Sequence, residues 1–163
     1  MEFLTNLFKK NKKDHDSVYD SQLICQFYNE HKKLIDQVYM IKQEIDSSEV
    51  RNDKIKILLH KLKQEISDHF IEEDAKLYAY LEDYYKQDES NLQTIKEFED
   101  SFHKVQGDLM YFFDRYCKDE IKLDKEFIES FRDFIEKLSL RVYLEEEKLY
   151  PLYLKLNRVQ DEI

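Results

Sequence analysis

The sequence has very little glycine, proline or cysteine, and it has no tryptophan. Among its 163 residues there are one glycine, one proline and two cysteines. Tight turns and hairpins depend on glycine and proline, so their scarcity argues against a fold rich in short strands. With 38% charged and 42% hydrophobic residues, the chain is expected to form one domain of a few long helices joined by short connections.

The two cysteines and the charge narrow the class of protein further. Cys25 and Cys117 form neither a disulfide framework nor a Cys-x-x-Cys metal motif. We interpret them as reduced core thiols in a cytoplasmic protein. No apolar run approaches the roughly 20 residues that span a bilayer. The net charge of −10 argues against nucleic acid as a partner, because phosphates require a basic surface, and leaves a basic protein partner open.

The N-terminus, MEFLTNLFKKNKK, combines apolar residues with four lysines. It is too short and wrongly ordered for a secretory signal. Such a segment can touch a membrane surface, but we expect it to pack on the domain or to be disordered, without membrane contact. The expected domain plan is an extension over 1–17, a bundle over 18–158 and a tail over 159–163.

Hydrophobic residues recur at intervals of three and four, which is the period of an amphipathic helix. The pattern predicts four helices, at about residues 18 or 21 to 46, 53–85, 91–117 and from 124 to the last apolar position at 156. Four long helices with short loops predict an all-α, antiparallel up-down-up-down bundle. Pro151 is expected to kink the last helix or to end its regular hydrogen bonding one turn upstream.

Two stretches of the chain repeat each other. The stretch 66–81 aligns with the stretch 138–153 at a constant offset of 72 residues. The pairs related by this offset are Glu73 with Glu145, His31 with His103, and His69 with Arg141. Side chains four residues apart on a helix point the same way, as in the His69–Glu73 pair. Counting along the helices at 1.5 Å per residue places all these polar positions at one level of the bundle.

These polar residues indicate a metal site. Burying two carboxylates without compensation costs several kcal/mol, so something must neutralise them. Imidazole and carboxylate together suit iron, manganese or zinc. Ferritin-like carboxylate sites use Glu-x-x-His, and no histidine here has a glutamate three residues before it. The residues at this level are His31, His69, Glu73, His103 and Glu145; a metal ion is one way to neutralise them, and the alternative is that the histidines are structural.

A lone histidine in the first helix, His-x-x-x-Glu in the second and a repetition of both resemble the hemerythrin-like (HHE cation-binding) family. The Leu-Tyr pairs, with Leu-Tyr-Pro at 149–151, also look like that family. The resemblance covers residues 20–156. It implies a non-haem di-iron centre with His31, His69, His103, Glu73 and Glu145 as candidate ligands and with Glu73 and Glu145 as bridging carboxylates. It also implies a protein that binds or senses oxygen, iron or redox stress, and we expect no enzyme activity.

Arg141 departs from the motif, which requires histidine there. A guanidinium cannot lose its proton to become a ligand. We interpret Arg141 as a fixed positive charge at the second metal position, paired with Glu145 and Glu73; the alternative is that it extends to solvent. The site is then an incomplete di-iron site. It holds one metal on His31, His69 and Glu73, with or without His103, or it is a metal-free polar core.

Two further features leave alternatives open. Gly107 lies in a helix interior, where it costs about 1 kcal/mol relative to alanine. It can open a pocket beside the metal or permit close helix packing. The segment RVYLEEEKL from Arg141, together with His69-Phe70, is similar to motifs of the regulator-of-sigma-D family. That resemblance implies a metal-free helical interaction module.

Overall fold

The chain folds as an all-α bundle of four long helices, as the hydrophobic period predicted. The computed structural model describes residues 19–120 and 122–160, and no strand occurs among them. The helices, numbered in chain order, are α1 (Leu23–Ile45), α2 (Asn52–Glu72, Glu73–Tyr78 and Ala79–Tyr84), α3 (Glu89–Tyr116) and α4 (Lys125–Leu144, Glu145–Leu149 and Tyr150–Gln160). The most extensive helix contacts join α1 to α2 and α3 to α4. None of the described helices is both long and apolar enough to cross a bilayer.

Aspartates set several helix starts. Asp88 accepts a hydrogen bond from the backbone N–H of Asn91 at the start of α3, and Asp124 accepts two from the first turn of α4. The α1 helix begins at Leu23, after the carboxylate of Asp20 has accepted the N–H of Gln22 at 2.9 Å. The predicted extension over residues 1–17 lies outside the part of the chain that the structure describes.

The middle segments of α2 and α4 are π-helical, Glu73–Tyr78 and Glu145–Leu149. In α4 the regular α-helical hydrogen bonding stops upstream of Pro151, as expected, but the helix itself continues to Gln160. The proline is not required for the wider turn, because Ala79 stands at the repeat position in α2 and the same π segment precedes it there. Short π segments inside α-helices are frequent at functional sites.

The apolar core is divided in two. One cluster fills the end of the bundle around Ile41, Leu59 and Phe113, and the other fills the opposite end around Phe27, Leu81 and Tyr153. Five buried polar residues from α1, α2 and α4 lie between them: His31, His69, Glu73, Arg141 and Glu145. The two cysteines belong to neither fully buried set. Both are free thiols, and Cys117 is half-buried against the first cluster, but Cys25 is exposed, so the prediction of a core position is wrong for Cys25.

Candidate metal centre

Four polar side chains from three helices converge between the two apolar clusters. They are His31 on α1, His69 and Glu73 on α2, and Glu145 on α4, each with a ligand atom within 4.8 Å of the others. Their exposed fractions are 0–3%. Each occupies a position where the helix period calls for an apolar side chain, so folding of the bundle carries it inward. The structure therefore brings together four of the five predicted ligands.

The two histidine rings face each other through their Nε2 atoms, 3.0 Å apart. Each ring meets a carboxylate on its outer side. His31 Nδ1 lies 2.7 Å from Glu146 Oε1, and His69 Nδ1 lies 2.7 Å from Glu30 Oε2. A carboxylate accepts hydrogen bonds and donates none, so both Nδ1 atoms carry a proton. In neutral rings, both Nε2 lone pairs then point into the cluster.

The contacts of His31 shift its pKa. Burial alone would lower the pKa of His31, but the carboxylates of Glu145 and Glu146 outweigh that effect and raise it. Glu145 Oε2 lies 3.2 Å from His31 Nε2 and has no hydrogen-bond partner in the described chain. The centre of the cluster therefore attracts positive charge, in the form of a proton or a cation.

Arg141 lies inside the bundle with 2% of its side chain exposed. Its Nε donates to Glu145 Oε1 at 2.5 Å and its Nη2 donates to Glu73 Oε2 at 2.9 Å. The guanidinium also stacks on the ring of Phe70, 3.5 Å from the ring centre. The inward interpretation of Arg141 is confirmed, and the alternative that it extends to solvent is wrong.

Arg141 acts unequally on the two carboxyl groups. Burial alone would raise the pKa of Glu145, but Arg141 and His31 outweigh burial and lower it. Complete burial, followed by the neighbouring charge of Glu145, raises the pKa of Glu73. The pKa values of the two carboxyl groups are therefore shifted in opposite directions, although both groups contact the same guanidinium.

Tyr150 is a member of the site that helix spacing did not identify. Its O–H donates to Glu73 Oε1 at 2.8 Å, and its oxygen lies 3.1 Å from His31 Nε2. The π turn places it there, since the backbone N–H of Tyr150 bonds to the carbonyl of Glu145, five residues back. The wider turn rotates Tyr150 toward the face that carries Glu145. The one available signal was the repeated Leu-Tyr pair.

The repeat partner of Tyr150 behaves differently. Tyr78 stands 72 residues earlier and is equally buried, with 2% exposed. Its hydroxyl has no hydrogen-bond partner among the described residues. Burial, followed by the charge of Glu145, raises its pKa. The two halves of the repeat therefore share their backbone but not their hydrogen bonds.

His103 and Gly107, both on α3, stay outside the cluster. His103 is 49% exposed, and its Nε2 lies 3.7 Å from Asp74 Oδ2. It stands one residue off the apolar stripe, and its neighbour Phe102 fills the core position instead. Gly107 is exposed, and a Cβ added there would meet no atom within 4 Å. Gly107 therefore neither opens a pocket beside the candidate metal site nor permits close helix packing, so both interpretations of this glycine are wrong.

Comparison with known families agrees with this site. The family model described as Hemerythrin HHE cation binding domain matches residues 23–153. The chain belongs to the hemerythrin HHE family. The match spans all four helices up to Tyr153, including the central cluster. No curated protein and no solved structure shows significant similarity to the chain. In this HHE domain the buried His/Glu cluster is the candidate cation site.

Proposed function

We propose that this HHE domain binds a single non-haem iron ion at His31, His69, Glu73 and Glu145. We further propose that it acts as a binder or sensor of iron, dioxygen or redox stress rather than as a turnover enzyme. The observation that carries the proposal is the 3.0 Å approach of the two Nε2 atoms, because each Nδ1 is already committed to a carboxylate. Histidines that ligate a metal commonly have this arrangement.

The donor set suits iron. Two imidazole nitrogens and two carboxylates are typical ligands of non-haem iron. Glu145 Oε2 has no hydrogen-bond partner among the described residues and lies 3.2 Å from His31 Nε2, so a cation there would satisfy it. An unsatisfied buried carboxylate oxygen is costly, and a cation removes that cost.

The same residues do not fit a second metal. Arg141 stands at the position where the family motif has histidine, and its guanidinium already bridges Glu73 and Glu145. His103 is half exposed and paired with Asp74. The second position therefore has a fixed cation in place of two imidazoles. This is the basis for one ion per chain rather than two.

Iron in this position would supply reversible redox chemistry and affinity for small ligands such as dioxygen. The protein's own residues would fix the tautomers of both histidines, through Glu30 and Glu146, and would hold a proton on Tyr150 next to Glu73. The four proposed ligands, His31, His69, Glu73 and Glu145, are at most 3% exposed. Such closure favours an ion and small ligands over an organic substrate, which supports a binding or sensing role.

A second candidate is a metal-free interaction module, similar to the regulator-of-sigma-D family. Arg141 favours it, because its two ion pairs neutralise part of the buried negative charge without a metal. In that case the cluster is a structural core, and a basic protein would be the expected partner of this acidic chain. A partner would then bind equally to chelator-treated protein.

Cobalt(II) titration of two histidine variants separates these candidates. His69→Gln removes an imidazole that is buried in the cluster. His103→Gln removes an imidazole that lies half exposed outside the cluster. We expect wild type and His103→Gln to develop the visible absorption of bound Co²⁺, and His69→Gln to lose it while keeping its helical circular dichroism. Absence of Co²⁺ absorption in the wild type would contradict metal binding and favour the metal-free candidate.

A further inference from the structure

A cleft of about 230 Å³ opens on the surface between α1 and α2, directly outside His69. We name it the acidic vestibule. Its charged and polar lining comprises Glu30, Lys33, Glu65, Asp68, His69 and Glu72. His69 is only 3% exposed and forms the inner end of the cleft, so the vestibule reaches the central cluster at one of its predicted ligands.

One ring separates the vestibule from the cluster. On the vestibule side, His69 Nδ1 meets Glu30 Oε2 at 2.7 Å; on the cluster side, His69 Nε2 faces His31 Nε2 at 3.0 Å. Gln26 links Glu30 to the outer rim, since its Nε2 lies 2.7 Å from Glu30 Oε1 and 2.5 Å from Glu72 Oε2. The carboxylates of Glu72 and Glu30, joined through the Gln26 amide, therefore lead from the surface to the buried imidazole.

The vestibule carries an excess of negative charge. Four carboxylates line it, against the single ammonium of Lys33. All four carboxylates accept from neutral amides: Glu30 and Glu72 from Gln26, Glu65 from Gln37, and Asp68 from Gln64 at 2.8 Å. Lysines outside the lining approach more loosely, at 3.9 Å from Glu65 and 3.4 Å from Glu72. Clefts lined by one sign of charge concentrate counter-ions and raise their association rates.

A larger cleft elsewhere on the surface lacks these features. It has a volume of about 440 Å³ and lies between α3 and α4. Its lining contains the cations Arg115 and Lys137 as well as acidic residues. None of the four clustered residues lines it. Its cations pair with nearby carboxylates, as Lys137 does with Asp108 at 2.9 Å. The larger cleft therefore does not reach the buried cluster, whereas the acidic vestibule does.

We propose that the acidic vestibule is the port through which a divalent cation reaches the buried cluster. Glu65, Asp68 and Glu72 attract the hydrated ion, and Glu30 receives it beside His69. The inference rests on the proposed metal function and adds the route of uptake to it. It assigns a role to four carboxylates that are not themselves ligands.

Stopped-flow uptake of Co²⁺ by the metal-free chain tests the port. The variant Glu65→Gln/Asp68→Asn removes two vestibule charges and leaves Glu30 and the four clustered residues unchanged. We expect association roughly tenfold slower than wild type at low ionic strength. The difference should shrink toward zero in about 1 M salt, where screening acts within about 3 Å. The final Co²⁺ absorption should be unchanged, because the ligands are intact.

Two further variants make the test specific. Glu129→Gln/Glu136→Gln also removes two negative charges, but on the exposed face of α4. We expect it to take up Co²⁺ at the wild-type rate. Lys33→Gln removes the vestibule's cation and should accelerate uptake, which gives an independent result if the double variant folds poorly. Equal rates in all of these proteins, with a normal final spectrum, would overturn the port and leave the metal site standing. No uptake by wild type would overturn both.

Discussion

Nε2 of His31 lies 3.0 Å from Nε2 of His69, and the Nδ1 atom of each ring is held by a carboxylate. The rings come from α1 and α2, so this approach is a property of the packed bundle rather than of either helix. Two lone pairs at that distance repel unless a proton or a cation lies between them. This pair is the reason for treating the polar core as a cation site.

The carboxylate behind His31 is expected to tune cation affinity. Glu146→Gln removes the charge that holds His31 Nδ1 at 2.7 Å but keeps the size of the side chain. Loss of such a partner typically costs 10–100-fold in metal affinity, and we expect about tenfold because glutamine still accepts a hydrogen bond. Competition with a chelating dye measures the Kd.

Glu147→Gln is the matched control, because Glu147 is the exposed neighbour of Glu146. It should leave the Kd near its wild-type value. Identical Kd values for the Glu146 and Glu147 variants would show that the outer contact of His31 does not act on the metal.

Arg141 is expected to set the number of metal ions. Arg141→His removes the guanidinium that bridges Glu73 and Glu145 and adds an imidazole beside them. We expect bound iron to rise above the wild-type value and toward two ions per chain, as measured by elemental analysis after ferrous reconstitution. The gain requires His103 to turn inward from its 3.7 Å contact with Asp74.

Arg141→Lys is the control for this prediction, because it keeps a positive charge without the planar fork of arginine. It should bind no more iron than wild type. If Arg141→His does not raise the bound iron per chain either, Arg141 does not occupy a second metal position.

The two repeat-related tyrosines should respond oppositely to loss of their hydroxyl groups. Tyr150→Phe removes the donor to Glu73, and leaving a buried acceptor without its hydrogen bond costs about 1–3 kcal/mol. Tyr78→Phe removes a buried hydroxyl with no partner in the described structure, so it should be neutral or stabilising. Urea unfolding of the metal-free proteins measures both. Equal losses would mean that the Tyr78 hydroxyl is hydrogen-bonded in solution.

The free energy of unfolding is expected to depend on pH through Glu44. Its carboxylate accepts from Arg51 Nε at 2.8 Å and lies 2.7 Å from Lys54 Nζ. Hydrogen bonds from Arg51 and then Lys54 lower the pKa of Glu44 from 4.5 to about 2. The folded state therefore favours the charged form. Its contribution is present above pH 4.5 and is lost as the pH falls from 4.5 toward 2.

Glu44→Gln should accordingly lower the free energy of unfolding at pH 7, and the gap from wild type should narrow below pH 4.5. Urea titrations at pH 7, 4.5 and 3 measure it. Glu129→Gln, which breaks an exposed pair with Lys125, should change stability less. A gap that is constant across this pH range would rule out Glu44 as the titrating group.

Much of the site follows from the helix period. His31, His69, Glu73 and Glu145 occupy apolar positions of their stripes, so burial and common level were predictable. Arg141 follows by the same reasoning, because a buried guanidinium needs carboxylates and the repeat placed two of them beside it. The bundle itself required only the alternating intervals of three and four.

The remaining parts depend on rotation and local backbone geometry. His103 lies at the predicted level of the bundle. Its position is one residue away from the apolar stripe, however, and that offset turns its ring outward. The π segments leave no mark in the sequence, and they decide where Tyr150 points. Glu30 and Glu146 adjoin His31 and Glu145 in sequence, but among 36 acidic residues such neighbours carry little information until the helices are packed.

The most direct test of the central claim is the number of iron ions per chain. Metal-free protein would be loaded anaerobically with excess Fe²⁺, freed of loosely bound metal by desalting, and measured for iron and protein in the same sample. A single site bounded by Arg141 predicts one iron per chain. Two per chain would contradict the role of Arg141, and none would contradict the cation site itself.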